Sequence, residues 1–157
     1  VQTYLYLPVD GETSEWERLG LFMRAPNCPT DGYTNSYVIT MDTDDGRTRA
    51  GKYVNNSLQA FRSDVYSASG WHKLRIEAIG DRISFYIDDA PFAEVNDSQF
   101  THGQFGFSHY EYGPADTIHY TRVDNFEAGS LPQPADSPTP TPTGSPSAVE
   151  DAMWRCY

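Results

Sequence analysis

The sequence contains no apolar run approaching the roughly 18 residues needed to cross a bilayer, and no helix-period pattern before residue 130. The expectation is therefore a soluble chain with no membrane insertion, built from strands. Positive charge is scarce: 11 Lys and Arg stand against 22 Asp and Glu, a net charge of -11. Nucleic acid and anionic membrane surfaces both require a positive face, so neither is an expected partner. No Gly-x-Ser-x-Gly elbow is present, and the histidines (His72, His102, His109 and His119) stand far apart. With no His-x-x-x-His or Cys-x-x-Cys spacing, a zinc centre is not expected.

What the chain has in quantity is aromatic residues, 14% of the total, which suits strands. The clearest pattern lies in residues 70–89. His72, Leu74, Ile76 and Ala78 alternate with Trp71, Lys73, Arg75 and Glu77, the period-2 mark of a strand with one buried and one wet face. Gly80-Asp81 then offers a tight turn, and Ile83, Phe85 and Ile87 alternate on the way back. The Gly70-Trp-His-Lys-Leu run, this turn, the Ile83-Ser-Phe-Tyr-Ile-Asp-Asp strand, Phe105-Gly-Phe107 and Val123-Asp-Asn-Phe126 together resemble the laminin G-like and concanavalin A-like jelly-roll superfamily. The resemblance covers residues 1–129 and implies an all-β, antiparallel two-sheet sandwich. Its motifs are architectural and speak for fold rather than function.

Further strands are expected at residues 1–7, around Leu19, Leu21 and Met23, at 33–41 with Tyr37, Ile39 and Met41 on one face, and at 47–54 after the Asp45-Gly46 turn. Weaker patterns at 58–62 and 91–95 precede two closing strands at 103–110 and 117–128. About ten short strands at regular spacing define a two-sheet sandwich. Jelly rolls of the resembled type carry one or two strands before the point where this chain begins, so a missing leading strand is expected. No signal peptide is visible within the chain, and one removed before Val1 would leave no trace.

Residues 130–147 change character: proline at alternate positions forbids helix and sheet interior, leaving an extended polyproline II linker. Thr139, Thr141 and Thr143 in this stretch are candidate O-glycosylation sites. Residues 148–157 follow, too few for a domain but apolar, with Val149, Met153, Trp154 and Tyr157 as a candidate docking segment. Asn55 and Asn96 head Asn-x-Ser acceptor triplets. These features point to the cell exterior, where Cys28 and Cys156 are best read as a disulfide, within or between chains. Within one chain it would close a loop of about 127 residues, on the order of 5 kcal/mol by loop entropy.

Glycan-cleaving members of the resembled superfamily set paired carboxylates on one strand as Glu-x-Asp-x-Glu; this chain has none, and Glu77 is isolated, so no catalytic residue is named and no enzyme is expected. Asp42, Asp44 and Asp45 form the one acidic loop that invites calcium, the only cofactor the pattern admits, although a polar hairpin turn explains the same residues. Trp16, His109, Tyr110 and Tyr112 could form an aromatic platform for sugar rings. Two functions follow. The first is a non-catalytic extracellular subunit that assembles into a surface fibre, each tail docking head-to-tail on the sandwich of the next copy. The alternative is a carbohydrate-binding, lectin-like module with glycan partners.

Overall fold

The central hairpin forms because two period-2 apolar rows meet across a turn that only a few residues can make. Gly80 takes φ 61°, where a side chain would be strained. The computed structural model describes residues 2–7, 16–26, 35–42, 45–65, 70–112 and 122–129. Among these are ten strands and no helix: β1 (Gln2–Leu7), β2 (Trp16–Ala25), β3 (Asn35–Asp42), β4 (Arg47–Val54), β5 (Ser57–Val65), β6 (Gly70–Ile79), β7 (Arg82–Ile87), β8 (Ala90–Asn96), β9 (Gln104–Tyr112) and β10 (Arg122–Glu127).

The strands make two five-stranded antiparallel sheets, in the orders β10-β1-β6-β7-β8 and β5-β4-β3-β2-β9. The chain crosses between sheets after β1, β5, β8 and β9, which gives the jelly-roll sandwich. Asn55-Asn56 and Asp88-Asp89 each place two successive residues at positive φ, the geometry of two-residue hairpin turns whose twist matches the strands they join. Both acceptor asparagines, Asn55 and Asn96, are exposed at strand ends.

The core lies between the sheets. Leu19 and Leu21 from β2 meet Tyr37, Ile39 and Met41 from β3 and Ala50 from β4. Opposite them lie Leu74 and Ile76 of β6, Ile83, Phe85 and Ile87 of β7, and Phe92 of β8. Each large side chain buried there contributes about 1.5–3 kcal/mol. At one end a polar clamp joins the sheets: the Tyr37 hydroxyl donates to Asp97 Oδ1 at 2.6 Å, and Lys52 Nζ reaches Asp97 Oδ2 at 2.5 Å.

Two features depart from the sequence reading. The β3 row is buried at seven successive positions, Ser36 to Asp42, not at alternate ones. Phe22, Val38 and Tyr53, with Leu58 against them, make a second apolar cluster on the face of this sheet turned away from the core. In addition, β1 is paired on both sides, with β10 and β6, so the open edges lie elsewhere. At the β9 and β10 edges Phe105, Phe107 and Phe126 touch one another while remaining 48%, 45% and 39% exposed. The linker, Thr139, Thr141, Thr143, the docking segment with Val149, Met153, Trp154 and Tyr157, and both Cys28 and Cys156 lie outside the described residues.

Candidate functional site

The face of the second sheet that points away from the core carries a charged network. It grows from register. Arg18 of β2 lies opposite Asp42 at the end of β3, and Arg49 of β4 lies opposite Thr40, two positions along the same strand. Alternation puts all of these on the parity opposite to Leu19, Ile39 and Ala50, hence away from the core.

Asp42 is only 3% exposed, and its two oxygens are divided between two guanidiniums. Arg18 Nε donates to Oδ1 at 2.5 Å, and Arg49 Nη1 donates to Oδ2. Arg49 also engages Asp45, while the Arg47 backbone N–H donates to Asp45 Oδ1 at 3.1 Å. Arg18 Nη1 continues to the Tyr53 hydroxyl at 3.0 Å, so its side chain spans β3 from β2 to β4. Burial pushes the Asp42 carboxyl up against the opposing hydrogen bond and charge of Arg18 and the charge of Arg49. At Asp45 burial also raises, but the Arg49 hydrogen bond and charge and the Arg47 N–H prevail and hold the carboxyl below its usual value. Burial raises the Tyr53 hydroxyl.

Arg47 Nε also stands 4.0 Å from Asp45 Oδ2, so three arginines face two aspartates and the described network carries one surplus positive charge. Its guanidiniums and the Asp45 carboxylate remain partly exposed, so the site offers planar donors and acceptors to a ligand that need carry no charge. The predicted sugar platform divides around it. Trp16 pairs with Tyr112 and Arg18 with Tyr110, so Trp16, Tyr110 and Tyr112 occupy register positions of the Arg18 parity beside the network. His109 pairs with Leu19 and has the opposite parity, which separates it from the other three.

The acidic loop is not a free ligand set. The carboxylates of Asp42 and Asp45 are occupied by arginines, whose charge opposes a cation, and Asp44 lies outside the described residues. No cluster of three metal-ligating side chains occurs among the described residues. Glu77 is on the outer face of the other sheet, ion-paired to Arg75 and accepting from the Tyr86 hydroxyl at 3.2 Å. Arg18, Arg49 and Tyr53 escaped the sequence reading, because each looks like an ordinary polar residue on a strand. The available signal was alternation: Arg47 and Arg49 share one parity of β4, facing a strand that ends in Asp42.

An antiparallel two-sheet jelly-roll sandwich, with an arginine–aspartate cluster on an outer sheet face, is the class these observations define. No protein-family model matches the chain, and no curated protein matches it. Among solved structures it is similar to the carbohydrate-binding module CBM66 from Bacillus subtilis, with 23% identity and a TM-score of 0.54 over 69% of this chain; it spans 64% of that structure's length. Sheep galectin-11 matches at 8% identity and TM-score 0.43, over 78% of this chain and 86% of that one. A Bacillus licheniformis beta-glucanase matches at 14% identity and TM-score 0.37, over 69% and 51%. At 23% identity the likeness to CBM66 is one of fold.

Proposed function

We propose that this chain is a non-catalytic carbohydrate-binding module that takes a neutral glycan on the outer face of its second sheet. The observation that carries the reading is the Arg18–Asp42–Arg49–Asp45 network, with the register positions of Trp16, Tyr110 and Tyr112 beside it, in a chain whose net charge of -11 opposes an anionic ligand. Sugars bind where planar polar groups fix hydroxyls and aromatic faces cover ring C–H groups, and this face brings both residue types together. A similar fold in a carbohydrate-binding module supports the reading. Both described carboxylates of the network are committed to arginines, which favours recognition over proton transfer. The setting is secreted or cell-surface, as the acceptor triplets suggest. Calorimetric titration with neutral oligosaccharides and with a uronic acid oligomer tests this. Binding of a neutral member, lost in Tyr110→Ala or Tyr112→Ala, supports it; tighter binding of the uronic acid refutes neutrality, and no binding refutes the function.

One observation favours a second reading, head-to-tail assembly into a surface fibre. The Phe105, Phe107 and Phe126 strip lies where two edge strands meet, a place that invites an added apolar strand. The residues 148–157 have the composition to supply one. Concentration-dependent filaments by electron microscopy would favour this reading.

A further inference from the structure

Along the side where β9 and β10 end their sheets, the inner faces of the sandwich open to solvent. Phe107 pairs with Leu21, so Phe105 and Phe107 have the core-facing parity of β9. On β10, Val123 packs on the core, and strict alternation from it would turn Phe126 outward. A bulge prevents this. Asn125 and Phe126 stand where β1 has only Thr3, Asn125 takes φ 53°, and the extra residue brings Phe126 back to the inner face. Its ring stacks on Phe105 at 6.2 Å and meets Phe107 edge-on at 6.0 Å. The backbone thus aims three aromatic rings inward, yet all three remain exposed. Such a patch, between two unpaired strand edges, is the place for a cover.

We propose that the cover is this chain's own residues 148–157, folded back in cis so that Val149, Met153 and Trp154 lie over Phe105, Phe107 and Phe126. Topology selects this occupant. Residues 8–15, 66–69 and 113–121 join strand ends at the opposite end of the sandwich from Phe105 and Phe126. Residues 27–34 run from β2 to β3, away from β9. In contrast, β10 ends at Glu127, one residue past Phe126, and the linker starts from there. Its proline runs are broken at Ala135-Asp136-Ser137 and at Gly144-Ser145. The arms between, residues 130–134 and 138–143, measure about 16 and 19 Å at the polyproline II rise. Nearly equal arms let the chain go out and return to where it left β10. Tethering then decides between cis and trans: a segment on such a linker meets its own domain at an effective concentration on the order of mM. A neighbouring chain matches that only at mM protein. At micromolar concentration each tail therefore covers its own strip and closes both sheet edges to other strands.

The test puts the photoreactive residue benzoylphenylalanine in place of Trp154 in the full chain. An equal mixture of light and heavy-nitrogen protein is irradiated at about 10 µM, far below the mM scale of the tether. Cross-links should fall on residues 104–112 and 122–127 and should join peptides of one isotope only. They should drop roughly tenfold in Val149→Ser/Met153→Ser, which leaves the sandwich untouched, and in Phe126→Ser, because each removes apolar surface that holds the tail down. Circular dichroism verifies that Phe126→Ser keeps its strands. Isotopically mixed cross-links at the same strip reveal a neighbour's tail and overturn the cis cap. Cross-links scattered over the sandwich and indifferent to both variants overturn docking altogether. Sugar binding enters neither readout, so the cap and the carbohydrate reading stand or fall separately.

Discussion

Single residues settle where the charge sits and what it costs. Asp42 is buried and acceptor-only when ionised, so each guanidinium beside it compensates a desolvated charge. Breaking such a pair is worth more than its net contribution, because the partner left behind is uncompensated. Arg49 remains in Arg18→Ala, so the expected loss is about 2 kcal/mol, below the 3–5 typical of a wholly orphaned pair; urea unfolding measures it. Tyr37 gives a second prediction. Burial first, then the Asp97 hydrogen bond, push its hydroxyl up to about 12 from 10.0. The folded value lies above the unfolded one, so its stabilisation is complete below pH 10 and is lost as pH rises through 12. That loss is roughly 2–3 kcal/mol. Tyr37→Phe should remove this alkaline limb in unfolding curves taken at pH 9 to 12. Asp97 behaves oppositely at acid pH. Burial raises it, but the hydrogen bonds from Lys52, Tyr37 and the Gln99 N–H prevail, and its net lowering makes its share of stability fade as pH falls through the folded value. That Tyr37 faces the core was legible from alternation; that its hydroxyl meets a residue sixty positions on was not.

Elements were more legible than residues, for a local reason. Period 2 survives wherever one face is wet, and β6 and β7 show it cleanly, with Leu74, Ile76, Ile83, Phe85 and Ile87 buried. Trp71 obeys the same rule and is half exposed on the outer face. The strand β3 breaks the rule because both of its faces are covered, one by the opposite sheet and one where Arg18 and Tyr53 meet across it. The continuous Tyr37-Val38-Ile39 run carried that information, since strands buried on both faces read as apolar runs. Val38→Ala is the discriminating substitution. One-faced alternation predicts almost no cost at that parity, whereas its burial in the second apolar cluster predicts about 2 kcal/mol. Equilibrium denaturation separates the two. Turns follow local chemistry in the same way: Gly80→Ala, at φ 61°, should cost about 1 kcal/mol, with little else altered because nothing lies within 4 Å of the added Cβ.

At the scale of the molecule, strand order is the part no local pattern encodes. Pairing β1 between β10 and β6 depends on which faces meet after the sheets close, and the residues at 1–7 look the same in either an edge or a central strand. The resemblance conveyed the sandwich, but the open edges emerged at β10 and β8 of one sheet and β5 and β9 of the other, not at the first strand, and the exposed phenylalanines lie at β9 and β10. There the two readings of function diverge. As a sugar-binding module the domain uses the outer face of the second sheet, and the phenylalanines at the sheet edges are bystanders. As a fibre subunit it uses that edge, with a neighbour's tail laid over Phe105, Phe107 and Phe126. Phe126→Ser in the full chain separates them, because a side chain already 39% exposed contributes little to the fold. Sedimentation velocity across a hundredfold concentration range should show the same monomer for wild type and variant, with sugar affinity unchanged. Assembly in the wild type that the variant abolishes would instead shift the function from the outer sheet face to the edge.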